Sequence, residues 1–154
     1  MHRATTSRRA RQRSKGQAAV EFAFVFMFVF LMFMALLELI FLMHAYNTLA
    51  DSAKEGVRYA IVHGTGNSGC SGPGTTSVPC AGAPYPLVQG AVTKFSSLSL
   101  HNVTASNVTV TYPEACNTPG CLVRVTVNYS YQPLFGMGWP SVTLYAAADG
   151  RIMN

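Results

Sequence analysis

Residues 17–43 open with Gln17 and are otherwise apolar, interrupted only by Glu21 and Glu38, and from Phe22 to Leu37 no polar side chain occurs. That stretch restricts the chain more than any other feature. An α-helix rises about 1.5 Å per residue, so a hydrocarbon core of about 30 Å takes roughly twenty residues to cross. The run is long enough. A secretory signal peptide carries a shorter apolar region of about 7–15 residues, followed by a small-residue cleavage site. Residues 39–44 offer no such site. A twin-arginine export signal is excluded because Ser7, Arg8 and Arg9 are followed by Ala10 and Arg11, not by an apolar start. The segment is expected to be a retained single-pass anchor over residues 17–44.

Charge gives the expected orientation. Arg3, Arg8, Arg9, Arg11, Arg13 and Lys15 are six of the eleven basic residues, and no acid accompanies them. Beyond them six acids face five bases, so the first sixteen residues carry +6 and the rest of the chain −1, for a net charge of +5. Such a tail could bind nucleic acid, but directly before an apolar span the positive-inside rule accounts for it better. A cytoplasmic leader (1–16) and an exported C-terminal part follow, with no nucleic-acid partner expected. Glu38 falls near the outer boundary beside His44 and Tyr46 and reads as an interfacial carboxylate. Glu21, a few residues after Lys15, is close enough to the inner boundary to snorkel to water.

The spacing of Gly16 and Glu21 says more. Gly16-Gln17-Ala18-Ala19-Val20-Glu21-Phe22 follows the basic leader and opens the apolar helix. Here the chain resembles the type IV pilin superfamily, in which a prepilin peptidase cuts after a glycine and a glutamate occupies the fifth mature position. The resemblance implies cleavage between Gly16 and Gln17, with Glu21 at that fifth position and Phe22 after it, the Glu-Phe pairing of tight-adherence (Tad) pseudopilins. Physically, a new α-amino group drawn into an apolar helix bundle needs a carboxylate partner, because an unpaired buried charge is strongly disfavoured.

A second stretch carries the resemblance further. Ala45-Tyr46-Asn47-Thr48-Leu49-Ala50-Asp51-Ser52-Ala53-Lys54-Glu55-Gly56-Val57-Arg58-Tyr59-Ala60 is similar to the juxtamembrane signature of TadE-like proteins. Lys54 stands where arginine is usual, and Ser52 and Val57 where alanine is usual. The match covers roughly residues 16–62. On periodicity alone, residues 45–62 are an amphipathic extension of the anchor, with Leu49, Ala53, Val57 and Ala60 or Ile61 at helical steps. Asp51 with Lys54 and Glu55 with Arg58 form opposite-charge pairs at i,i+3, each worth a few tenths of a kcal/mol. The small residues Ala50, Ala53, Gly56 and Ala60 would admit either the protein's own head or a neighbouring subunit.

Gly, Ser, Thr and Pro dominate residues 63–86, which read as loop. Residues 87–154 read as a small α+β head. Leu87, Ala91 and Phe95, with Val88, Val92 and Leu98, predict a short amphipathic helix with Pro86 in its first turn. After Asn102 the period becomes two. Val108, Val110 and Tyr112 form one strand, and Val123, Val125, Val127, Tyr129 and Tyr131 a second. Residues 141–146 form a third, after the loop at 136–140. The fold class is α+β: a long N-terminal transmembrane and amphipathic helix, then an exported head with a short helix and an antiparallel sheet of about three strands.

Cys70, Cys80, Cys116 and Cys121 all follow the anchor, and an even number in an exported domain reads as disulfides. Three pairings exist. The local ones, Cys70 with Cys80 and Cys116 with Cys121, are favoured because each brackets a loop. A four-thiolate zinc site is the alternative, but the two-residue spacings typical of such sites are missing, so no metal and no cofactor is expected. The tripeptides beginning at Asn102, Asn107 and Asn128 match the glycosylation pattern. In a Ser/Thr-rich sheet such matches arise by chance.

No constellation for catalysis stands out. His2, His44, His63 and His101 have no metal-binding spacing, and beyond the anchor the acids are Asp51, Glu55, Glu114 and Asp149. Neither a phosphate-binding glycine loop nor a serine nucleophile elbow occurs. The expectation is a non-enzymatic protein with no small-molecule substrate. The resemblance implies a TadE-like minor pilin or pseudopilin that takes part in assembling a Tad-type adhesive pilus. It would reside in the bacterial inner membrane with its head outside the cytoplasm. Its partners would be prepilin peptidase and other pilus-assembly subunits, among them a related pseudopilin. The alternative is a bitopic envelope protein whose exported head binds a partner outside any filament.

Overall fold

The computed structural model describes residues 5–74, 80–100, 102–136 and 140–153, with side chains from residue 16 onward. The first four residues and the side chains of the basic leader therefore lie outside the described residues, as does His101. So does Trp139 in the loop expected at 136–140. The chain divides into two compact units, at Ile40 and Phe41.

The first unit is helix. It holds the N-terminal part of α1, which runs from Thr5 to Val62. Nothing in residues 17–40 breaks it: there is no proline or glycine, and Leu, Met, Ala and Phe supply the interior. Its side chains stay uncovered, with Phe22 71% exposed and Phe24 and Phe28 close behind. Glu38 differs from its neighbours, being only 7% exposed. The simple interfacial position expected for it is therefore not what the structure shows.

The second unit begins with the last turns of α1, which carry a stripe of Ala45, Leu49, Ala53, Val57 and Ala60 into the core. The other elements are α2 (Pro86–Ser96), β1 (Val108–Thr111), β2 (Leu122–Tyr131) and β3 (Val142–Arg151). The three strands form one antiparallel sheet in the order β1-β2-β3. Val108 lies opposite Val127, and Val125 opposite Ala148. The fold is thus α+β, with a long N-terminal apolar helix, a second helix and a three-stranded antiparallel sheet.

Alternation on β2 decides which face is buried. Val123, Val125 and Val127 are fully buried, whereas Arg124 and Ser130 between and beyond them face water. Val88 and Val92 of α2 complete the core from the helical side, and the Gln89 amide donates to the Val108 carbonyl at 3.0 Å. Two glycines set how closely α1 approaches. A Cβ on Gly56 would collide with Val92 and stand 3.2 Å from Cγ1 of Val125, and one on Gly150 would collide with Val57. The small residues of α1 are therefore used against the protein's own head.

Three expectations need correction. The third strand continues to Arg151, beyond the expected end at Ala146. Ala-Asp-Gly has little intrinsic strand preference, but pairing of Arg124 with Asp149 and of Val123 with Gly150 carries the ladder through it. Leu98 does not join the apolar face of α2; it lies past the helix end and is 81% exposed. With Leu87, Phe95, Lys94, Tyr59 and Glu55 it lines a groove of about 500 Å³ between α2 and the last turns of α1. Finally, Asp51 and Lys54 pair at 3.0 Å, but among the described residues Glu55 and Arg58 form no ion pair. A 3₁₀ turn at Ala105–Asn107, capped by Thr104 and Asn107, also precedes β1.

Candidate processing and assembly segment

Gly16 sits inside α1 with its surface open, and a Cβ there would meet no atom within 4 Å. Its role is therefore not steric within the fold. The Gln17 side-chain amide donates to a Glu21 carboxylate oxygen at 3.3 Å, across one helical turn. Both residues are exposed. Gly16, Gln17, Glu21 and Phe22 thus lie together within about two turns of helix. Phe22 starts a ladder: its ring stacks on Phe26 at a centroid distance of 6.3 Å, and Phe26 on Phe30 at the same distance. The i,i+4 interval produces this alignment.

An eighteen-residue window of this helix reaches a mean hydropathy of 2.8, and only 6% of it is buried within the protein. A core helix of a soluble protein would be mostly covered. Exposing this much apolar surface to water is unfavourable by roughly 25 cal/mol per Å². The helix is long and apolar enough to cross a bilayer, and it is a candidate single membrane span.

The cysteines all belong to the second unit. A disulfide joins Cys70 to Cys80 with Cα atoms 5.0 Å apart, and another joins Cys116 to Cys121 at 6.0 Å. The first holds the loop after α1 closed, beside a bridge between Ser71 and Ala81. The second closes the β1–β2 connection, where the Glu114 carboxylate accepts the Leu122 N–H at 3.3 Å. The Tyr112 hydroxyl joins the two regions by donating to the Ser71 carbonyl at 2.9 Å. Burial pushes its pKa up to about 12. Tyr85 packs on the same ring at 5.0 Å. Sequence reading missed this tyrosine contact, and residue spacing holds no signal that would have found it.

On the sheet surface the Arg124 guanidinium bonds both carboxylate oxygens of Asp149, at 2.6 and 2.8 Å. That pairing holds the Asp149 carboxyl below the usual carboxylate range. His63 stacks on Tyr59 at 4.0 Å, and its Nδ1 lies 2.8 Å from the Tyr59 carbonyl. These polar groups are spread over the head and do not converge on one cavity.

No curated protein and no solved structure matched the chain. One family model did, that of the TadE-like proteins, over residues 16–58. The match starts at the glycine before the apolar helix and ends on the helical stripe that enters the head core. This segment of the chain is similar to the TadE-like proteins, in agreement with the resemblance of its two motifs.

Proposed function

We propose that the protein is a pseudopilin-type subunit that takes part in assembling a Tad-type pilus. The TadE-like match supports association with a Tad pilus. The observation that carries the finer reading is that this match begins at Gly16 and includes Glu21 and Phe22 at the start of a bare apolar helix. In this reading the basic leader stays in the cytoplasm, residues 17–44 cross the inner membrane and the head lies outside. Residues 45–62 extend the helix into the head, a connection follows, and the rest of the head begins with α2 at Pro86, one residue before the expected boundary at 87. Prepilin peptidase removes residues 1–16. The new α-amino group of Gln17 then pairs with a Glu21 carboxylate when helices pack. Glu21 is exposed and one turn from Gln17, so it is available to its own or a neighbouring chain. The two disulfides brace loops of the head in an oxidising compartment, and the role is structural.

The test is the intact mass of the protein recovered from native envelopes, wild type beside Gly16→Ala. Loss of residues 1–16 from the wild type and retention in the variant is the expected result. A full-length wild-type chain beside an active prepilin peptidase would leave a permanently anchored envelope protein with a binding head.

A further inference from the structure

We infer that the two disulfides of the head act as one redox-linked lock, in which Asn117 transmits the closed state of Cys116–Cys121 to Cys70–Cys80 and back. Asn117 is the first residue inside the Cys116–Cys121 loop. Thr118, Pro119 and Gly120 after it are exposed, yet Asn117 is only 2% exposed. Its cover comes from the other disulfide loop.

That cover is built beside Cys70 and Cys80. A Cβ on Gly72 would stand 2.6 Å from Cγ of Asn117, so the amide rests directly on the glycine backbone, where φ is +138°. The Asn117 side-chain amide donates to Cys80 Sγ at 3.8 Å, and the Asn117 carbonyl accepts the Thr65 N–H at 3.1 Å. Its Oδ1 has no partner among the described residues. Packing on Gly72 and the backbone bond from Thr65 therefore carry the contact.

The seat depends on both bonds. Beside Cys70–Cys80 the Gly72 N–H donates to the Ala81 carbonyl and the Ala81 N–H to the Cys70 carbonyl, each at 3.1 Å. This places Gly72 and Cys80 together under Asn117. In the second loop the Cys121 end is pinned to the chain after β3. The Gly120 N–H donates to the Ile152 carbonyl at 2.8 Å, and the Ile152 N–H to the Cys121 carbonyl at 2.9 Å. The disulfide ties Cys116, and with it Asn117, to that pinned end. Opening it lets Asn117 leave Gly72, and opening Cys70–Cys80 dismantles the floor on which Asn117 rests. Each bond still stabilises its own loop, and the coupling adds to that equally in both directions, because linkage is reciprocal.

Exposure sets the point of entry. Cys70 and Cys121 are 5% and 7% exposed, whereas Cys80 and Cys116 are only partly buried. A small external thiolate that attacks Cys116 forms a mixed disulfide there and releases Cys121 as a thiolate. A second external thiol then takes the first one off, so two thiols become one external disulfide while the chain gains two thiols. The same event unseats Asn117 and makes Cys70–Cys80 easier to reduce.

The experiment equilibrates the full chain in detergent micelles with glutathione and glutathione disulfide, traps free thiols by alkylation and counts the four redox forms by peptide mapping. The product of the fully open and fully closed populations, divided by the product of the two half-closed ones, is the coupling factor. It equals one for independent bonds. A factor of about ten is expected in the wild type. Asn117→Ala, which empties the seat, brings it to within twofold of one, and so does Gly72→Ala, which fills the seat from the other side. Tyr112→Phe removes a second link to the first loop, the bond to the Ser71 carbonyl. Tyr112 belongs to neither disulfide loop, so this variant lowers overall stability and leaves the factor unchanged. Circular dichroism on each variant establishes that helix and sheet persist. A wild-type factor within twofold of one overturns the proposal. So does a factor that survives both Asn117→Ala and Gly72→Ala, because it then belongs to unfolding of the whole head.

Discussion

The backbone of Gly56 passes so close to Val92 that no side chain fits between them. This is where α1 meets α2 and β2 at once, since Val125 of β2 lies against the same point. Gly56→Ala gains helix propensity of up to about 1 kcal/mol but overpacks a closed contact at a cost of about 1–3 kcal/mol. A net loss of stability is expected. Denaturant unfolding of the full chain in detergent micelles measures it, and adding Val92→Ala should recover part of the loss in a non-additive way. Full additivity of the two changes would show that the contact is not shared.

The disulfides should matter separately. Each closes a short loop, so chain-entropy reasoning assigns each about 2–3 kcal/mol. Replacing Cys70 and Cys80 together with alanine should lower the unfolding midpoint of the head, and so should replacing Cys116 and Cys121. Peptide mapping without reductant should recover the two local pairs in the wild type. Long-range pairs between the loops would contradict the structure.

Acid should weaken the head through Asp149. Its carboxyl lies below the usual range when folded because Arg124 binds the charged form. The contribution is therefore present above the ordinary carboxylate pKa and is lost as pH falls through the lower folded value. The pair is exposed, so the effect is small and screened by salt. Asp149→Asn should flatten the acid limb of the stability curve and leave neutral pH almost unchanged. An acid limb identical in the two proteins would remove Asp149 as its source.

At the alkaline end Tyr112 takes over. Burial raises its hydroxyl to about 12, above the ordinary value near 10. Stability from the neutral phenol is complete below about 10 and declines as pH rises toward 12, by about 2–3 kcal/mol in all. Tyr112→Phe should remove this decline while costing about 1 kcal/mol at neutral pH, because the Ser71 carbonyl loses its donor. Brief alkaline unfolding scans, short enough to spare the disulfides, would measure both effects.

Much of the architecture could be read from residue order. The helix ends at Val62, where Gly and Ser begin, and the valines of β2 alternate cleanly enough to mark both strand and buried face. What escaped reading depended on partners distant in sequence. Ala147, Ala148, Asp149 and Gly150 carry no strand signature of their own and are extended because β2 lies beside them. Gly150 resembles a turn residue, yet it is needed for the approach of Val57. Leu98 fits the helical period, but the helix ends before it, and no core atom waits at that position. In the candidate processing segment the residue types and spacing were visible directly, because Gly16, Gln17, Glu21 and Phe22 are neighbours in sequence. The seat of Asn117 on Gly72 was not, because the two residues lie far apart in the chain.

The part of α1 that enters the head has a consequence for how the head can be made. Residues 45–60 form the floor of its core, with Gly56 against Val125 and Val57 against Gly150. A head cut at Val62 would therefore leave one side of its valine sheet bare to water, an apolar surface that favours aggregation. A piece that closes this core has to begin by Ala45.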